Sequence, residues 1–149
     1  MKSTIKEIIN EVLSRMETLK VPNTIEAREL IFETGNAETG YRHLEQMGGG
    51  PALSFWQLES NTIQDIWDNY ISYRTNYIQM AYELGLRDGE LDFCVMSNIG
   101  LAVFFTRVYY RRQPGAIPLT PEERADYWKQ YYNTEGGKGT VKHYLEANV

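Results

Sequence analysis

The chain has 149 residues, a net charge of −5 and 42% hydrophobic residues, which suits one globular domain with a sizeable core and argues against disorder. Its basic residues are scattered, so there is no cationic stripe of the kind that binds nucleic acid. One cysteine, Cys94, excludes an internal disulfide, and with only two distant histidines it cannot build a usual zinc site.

No cofactor or metal is therefore expected. The first residues lead into an amphipathic pattern and not an apolar signal core, and no apolar run approaches membrane-spanning length. The expectation is a protein made soluble in a cytoplasm, without membrane insertion, and delivered by something else if it acts outside. The eleven tyrosines and three tryptophans suit a groove holding something polar, such as sugar, or alternatively a helical core.

In chain order, Ile5, Ile8, Ile9, Val12, Leu13, Met16 and Leu19 form one stripe, predicting a helix over Thr4–Leu19 with a capping box of Thr4 and Glu7. Val21-Pro22-Asn23 breaks it. Asn23 and Glu26 are expected to open a second helix running to Glu38. The stretch 41–60 contains Gly48-Gly49-Gly50-Pro51 and a short aromatic run, predicting a loop or small β-hairpin. Further helices are expected from Thr62 and through Tyr77 to Leu84. Leu91 to Arg112 is the most apolar segment and is expected to be one buried central helix. Thr120-Pro121-Glu122-Glu123 starts a helix reaching Tyr132, and Val141 to Ala147 closes the chain with another. The result is one mainly α domain over 1–149, without repeat or linker.

Three features carry chemistry. Glu38 ends an apolar-striped helix, where partial burial raises a carboxyl pKa and lets it act as a general acid. Residues Gly50 to Gln57 form an aromatic stretch able to lay backbone groups and an amide along a sugar. Tyr132 and Asn133, ahead of Thr134-Glu135-Gly136-Gly137, offer a hydroxyl and an amide.

In this order the segments resemble the lytic transglycosylases of the lysozyme superfamily. That family runs Glu-Ser-Gly at a helix end, then Gly-x-x-Gly-Leu-x-Gln-x-x-Pro-x-Thr, then Ala-Tyr-Asn-Ala-Gly. Glu38-Thr39-Gly40 corresponds to the first motif, Gly50 through Thr62 to the second, with Gln57 as its glutamine, and Tyr132-Asn133 to the third. The stretch from Gln46 to Gln57 is also similar to a small bacteriophage-encoded branch. The resemblance spans roughly Thr24 to Leu145 and leaves the helix within 1–20 outside it. Ser54 stands where the family has Gly, Ser60 where it has Pro, and Tyr131 where it has Ala; these departures bear on activity more than on fold.

The resemblance implies a single lysozyme-like domain that cleaves peptidoglycan between N-acetylmuramic acid and N-acetylglucosamine, with Glu38 catalytic. Thr39, Ser54, Phe55, Trp56, Gln57, Tyr132 and Asn133 are the implied substrate-binding residues, and glycan strands the partner. It implies a phage protein that resides in the virion, or in the host cytoplasm before release, and acts on the periplasmic wall. The first helix then either docks on other virion or tail proteins or faces the core. Two other classes stay open: a catalytically inactive structural virion protein (tail or neck) of the same fold, and a sugar-binding module.

Glu33-Thr34-Gly35 is a rival for the first motif. Two carboxylates five residues apart cannot end one helix on the same face, and the nineteen residues from Glu38 to Gln57 fit the family's separation, so Glu38 is preferred. Glu59 and Asp65 are either second carboxylates, which would favour hydrolysis, or acids near a helix start. Gly136-Gly137-Lys138-Gly139-Thr140 lacks the order and preceding strand of a phosphate loop. His43 and His143 have no visible catalytic partner and are expected to be solvated or packed.

Overall fold

A computed structural model describes residues 1–133 and 137–149. The turn expected at Thr134-Glu135-Gly136 lies outside the described residues. Among those described there are eight α-helices and one two-stranded antiparallel sheet: α1 (Lys2–Met16), α2 (Ile25–Glu38), β1 (Ala52–Leu53), β2 (Leu58–Glu59), α3 (Ser60–Asn69), α4 (Thr75–Glu83), α5 (Leu91–Ser97), α6 (Ile99–Arg111), α7 (Pro121–Trp128) and α8 (Val141–Ala147). The chain is mainly helical, with its small hairpin inside the predicted 41–60 stretch.

Helix α6 is the axis of the core. Leu101 through Val108 are all buried, and α1, α2, α3 and α5 pack around it. Helix α1 contributes Ile5, Ile9, Val12, Leu13 and Met16 to this core and packs on α2 and α6. Its apolar stripe therefore faces inward and is not left over as a docking face. No single helix among the described residues is long and apolar enough to cross a bilayer.

Several predicted boundaries move, each for a local reason. α1 starts at Lys2, so Thr4 sits inside the first turn and the Thr4–Glu7 box does not form. A 3-10 turn over Glu17–Leu19 follows, and Lys20 ends it in the left-handed region at φ 65°. The cap of α2 is Thr24, whose hydroxyl accepts from Ala27 N at 3.1 Å. Asn23 instead accepts from Arg28 at 2.8 Å and donates to Ser14 at 3.0 Å, tying the α2 start to α1.

Helix α3 begins two residues before Thr62. The apolar segment from Leu91 to Arg112 is two helices bent by 106°, not one. The break is Asn98, whose side chain caps Leu101 N at 3.0 Å and donates to Leu84 O at 2.7 Å. A side chain that satisfies both an N-terminal amide and a carbonyl of another helix favours the break over continuation. The Thr120 cap does form, with Glu123 N donating to Thr120 Oγ1 at 3.2 Å, while the Glu123 carboxylate accepts from the Thr120 hydroxyl at 2.8 Å in place of the backbone N–H of a full capping box. After Trp128 the chain widens into a π-helical turn over Lys129–Asn133.

Helix α2 is fixed by a buried ion network. Arg124 Nε donates to Glu33 Oε1 at 2.7 Å and Arg124 Nη2 to Glu33 Oε2 at 3.1 Å. Tyr144 donates to Glu33 Oε1 at 2.7 Å, and Glu29 accepts from Arg124 at 2.7 Å. Gly35 is required next to it, because a Cβ there would lie 2.2 Å from the Tyr41 hydroxyl. The network joins α2, α7 and α8 through one guanidinium that is 1% exposed.

Removing the cation from such a pair strands a buried carboxylate. Arg124→Ala is expected to lower stability by about 3–5 kcal/mol in urea denaturation. A loss under about 1 kcal/mol would mean that Glu33 is solvated and the network does not hold α2.

Candidate functional site

Glu38 is the last residue of α2. Gly40, at φ +61°, ends the helix by returning its N–H to the carbonyls of Gly35 at 3.0 Å and Asn36 at 3.1 Å. The chain turns sharply there, leaving the Glu38 side chain on the wall of a groove of about 540 Å³. Gln57, Leu58 and Glu59 of the hairpin form part of the lining, with Thr62 of α3, Tyr109 of α6, and Tyr132 and Asn133 of the π-helical turn.

Among the described residues the carboxyl of Glu38 has one donor, Trp128 Nε1, at 3.0 Å from Oε2. Burial pushes its pKa up from 4.5 to about 7, against a smaller lowering by the tryptophan bond. Trp128 is itself 1% exposed and packs on Tyr144, so the donor is held in place. At neutral pH a large share of Glu38 is therefore a neutral acid, able to give a proton to a group in the groove.

The expected rival, Glu33, cannot do this. Its oxygens are taken by Arg124 and Tyr144, and it lines no part of this groove. The distinction expected from spacing thus has a physical counterpart: one carboxylate is compensated by a cation and the other is desolvated beside an indole N–H.

The other sequence-derived site residues divide into two groups. Gln57, Tyr132 and Asn133 line the groove with Glu38. Thr39, Ser54, Phe55 and Trp56 are buried beneath it, so their side chains are corrected from ligand contacts to supports. Thr39 Oγ1 donates to Phe55 O at 2.8 Å, Trp56 Nε1 donates to Ile31 O at 2.8 Å, and Tyr132 Oη donates to Trp56 O. Ser54 and Gln57 both adopt left-handed backbone, at φ 70° and 54°. For side chains other than Gly and Asn this is a strained conformation, and it persists where surrounding bonds over-determine it. Here Ser54 Oγ accepts from Trp56 N at 3.1 Å, and Gln57 Nε2 donates to Ser54 O at 2.9 Å. The aromatic pair thus anchors the loop that presents Gln57.

Asn133 Oδ1 accepts from Lys129 Nζ at 2.9 Å, fixing the amide at the groove. Of the two candidate second carboxylates, Glu59 lines the groove and is exposed. Asp65 does not line it; it is bound by Arg112 at 2.9 Å, and hydrogen bonds from Asn69 and then Arg112 hold its pKa below the ordinary value. His143 donates to Ala37 O at 2.7 Å and serves to pack α8 on α2.

Trp128 and Tyr109 were not among the sequence-derived site residues. Trp128 has a signal of sorts, lying five residues before Asn133 on the same helical run, but nothing in its neighbours shows that its indole faces Glu38. A larger cleft of about 700 Å³ lies between α1, α2 and the last residues of the chain. Its two side-chain carboxylates, Glu29 and Glu33, are both bound by Arg124, which leaves the desolvated acid Glu38 in the smaller groove. Among the described residues no cluster of His, Cys, Asp or Glu is arranged to hold a metal ion.

Comparison with protein families, with curated proteins and with solved structures finds no match to this chain.

A carboxyl whose pKa is raised by folding stabilises the folded state fully below the unfolded value and loses that contribution as pH rises through the folded value. For Glu38 that window runs from 4.5 to about 7. Glu38→Gln, neutral throughout, is expected to gain stability relative to wild type by roughly 3 kcal/mol across it. Paired denaturation curves below and above the window measure this, and parallel pH profiles of the two proteins would contradict it.

Proposed function

We propose that the chain is a bacteriophage-encoded lysozyme-like protein of the lytic transglycosylase type, cleaving peptidoglycan between N-acetylmuramic acid and N-acetylglucosamine. The observation that carries this reading is Glu38, a carboxyl whose pKa burial raises to about 7, on the wall of a groove lined by polar and aromatic side chains. The three motifs behind the family resemblance add to it, since Glu38, Gln57, Tyr132 and Asn133 all line that groove.

In the proposed reaction the glycosidic oxygen takes the Glu38 proton as its bond to C1 of the muramic residue breaks. The muramic 6-hydroxyl then bonds to C1 and returns its proton to the Glu38 carboxylate. The products are a 1,6-anhydro end and a free 4-hydroxyl, and Glu38 ends as it began. The step needs no second carboxylate to activate water. Gln57 and Asn133 are the polar side chains that would orient the sugars, and Tyr132 holds the loop that presents Gln57. The protein would reach the wall from the virion or from the host cytoplasm on lysis.

A second reading is an inactive virion component of the same fold. The feature that favours it is the burial of Phe55 and Trp56, which leaves fewer ring faces for stacking against sugar than the sequence promised.

Muropeptide analysis of purified sacculi separates the two. Wild type is expected to release anhydro-muropeptides, less efficiently as pH rises through about 7. Glu38→Gln should lower release at least 100-fold, the order expected for loss of a general acid. No release by wild type would reject the enzyme in favour of the structural reading. Reducing ends in place of anhydro ends would assign hydrolysis, with Glu59 as the groove's second carboxylate.

A further inference from the structure

Another cleft, of about 540 Å³, lies between α3, the end of α4, the turn after it and the start of α5. It shares no lining residue with the Glu38 groove. Three aromatic rings line it: Trp67 is half-buried, Tyr82 is 44% exposed and Phe93 is 51% exposed. Single exposed rings are ordinary, but rings gathered in a concave site of this volume mark a place for a small ligand. The Trp67 and Tyr82 rings meet edge-on, with planes at 88° and centroids 6.4 Å apart. An edge-to-face pair covers one face of one ring, so both rings keep face surface for another group.

The charged groups of the same cleft are mostly acidic. Asp88, Glu90 and Asp92 line it with one guanidinium, that of Arg87. Arg87 is paired with Glu90, its Nε 2.9 Å from Oε2. Asp88 and Asp92 instead accept hydrogen bonds from neutral hydroxyls, those of Tyr82 and Ser60. Among the described residues neither of these two carboxylates pairs with a cation. A hydroxyl donor leaves the carboxylate charge in place, and the one on Asp88 comes from a ring of the aromatic pair. Arg87 also lies against the third ring, its guanidinium carbon 5.8 Å from the Phe93 centroid. Among the described residues no cation sits over Trp67 or Tyr82.

We propose that this cleft binds a small organic cation of the trimethylammonium type, with its methyl groups against Trp67 and Tyr82 and its charge beside Asp88. A cation within about 6 Å of a ring centroid is attracted by the ring quadrupole. The 6.4 Å between the two centroids lets one nitrogen meet that limit for both rings. The Asp88 carboxylate adds a direct charge attraction. A methylated nitrogen suits the place better than a primary ammonium, whose N–H groups need three acceptors where the rings present apolar faces. A sugar would also meet the rings, but it would leave the excess negative charge unanswered. The net charge of −5 on the whole chain favours the approach of a cation. The site does not depend on the glycan-cleaving reading.

Titration of the full chain with choline tests this, read by calorimetry and by the NMR signal of the Trp67 indole N–H. Saturable one-to-one binding that shifts this signal and weakens with added salt is expected. Methylammonium and the uncharged tert-butyl analogue of choline should each bind about tenfold more weakly or worse. Tyr82→Leu should weaken choline about fivefold, whereas Tyr82→Phe, which keeps the ring, should stay within about twofold of wild type. Asp88→Asn should weaken it about threefold and flatten its salt dependence. Both side chains are exposed, so these variants leave the core intact. Equal binding of the tert-butyl analogue would overturn the proposal in favour of an apolar pocket. Binding of N-acetylglucosamine in place of choline would overturn it in favour of a sugar site. Absence of saturable choline binding, or binding that Tyr82→Leu leaves unchanged, overturns it as well.

Discussion

Helix α2 carries two carboxylates into surroundings of low polarity, and the fold answers them differently. Glu33 receives a bidentate guanidinium and a phenol, so its charge is compensated where it stands. Glu38, five residues on, receives a single indole N–H among the described residues. Desolvation of a carboxylate is costly and is relieved either by paired charge or by protonation. The first route fixes α2 against α7 and α8; the second keeps an acid available at the groove. Both rest on α7, which supplies Arg124 to one carboxylate and Trp128 to the other four residues later, about one helical turn along the same face.

The groove depends on the same anchoring. Its hairpin side is not held by the sheet, which is only two residues deep on each strand. It is held by Thr39 from the end of α2, by Trp56 reaching Ile31 in the middle of α2, and by Tyr132 from the π-helical turn. These bonds keep Ser54 and Gln57 in left-handed backbone and present the Gln57 side chain to the groove. The strain sits beside the desolvated acid Glu38, at the wall of the same groove.

Much of this was legible in the sequence, for reasons that differ by element. Helix starts with local chemistry were readable: the Thr120 cap forms because every group it needs lies within four residues. The choice of Glu38 over Glu33 followed from spacing. Local patterning failed where a distant partner decides. Asn98 breaks the long apolar segment because Leu84, far away in the chain, offers it a carbonyl. Phe55 and Trp56 looked like ring faces for a ligand because a run of aromatics in a loop does not show which way it points; the carbonyl of Ile31 turns Trp56 inward. The burial of Arg124 was invisible, since it sits in a segment whose charges suggest surface. Trp128 was read as part of a helix, and only the packing of α7 on α2 and α8 makes it the donor to Glu38.

The central claim is that exclusion of water holds Glu38 protonated near neutral pH while Glu33, on the same helix, keeps its charge paired. Carbon-13 NMR titration of the Glu38 carboxyl tests it most directly. The account predicts a midpoint at about 7, rising further in Trp128→Phe, where the indole donor that stabilises the carboxylate is lost. A midpoint near 4.5, unmoved by that substitution, would show that water reaches the carboxyl and would contradict the account.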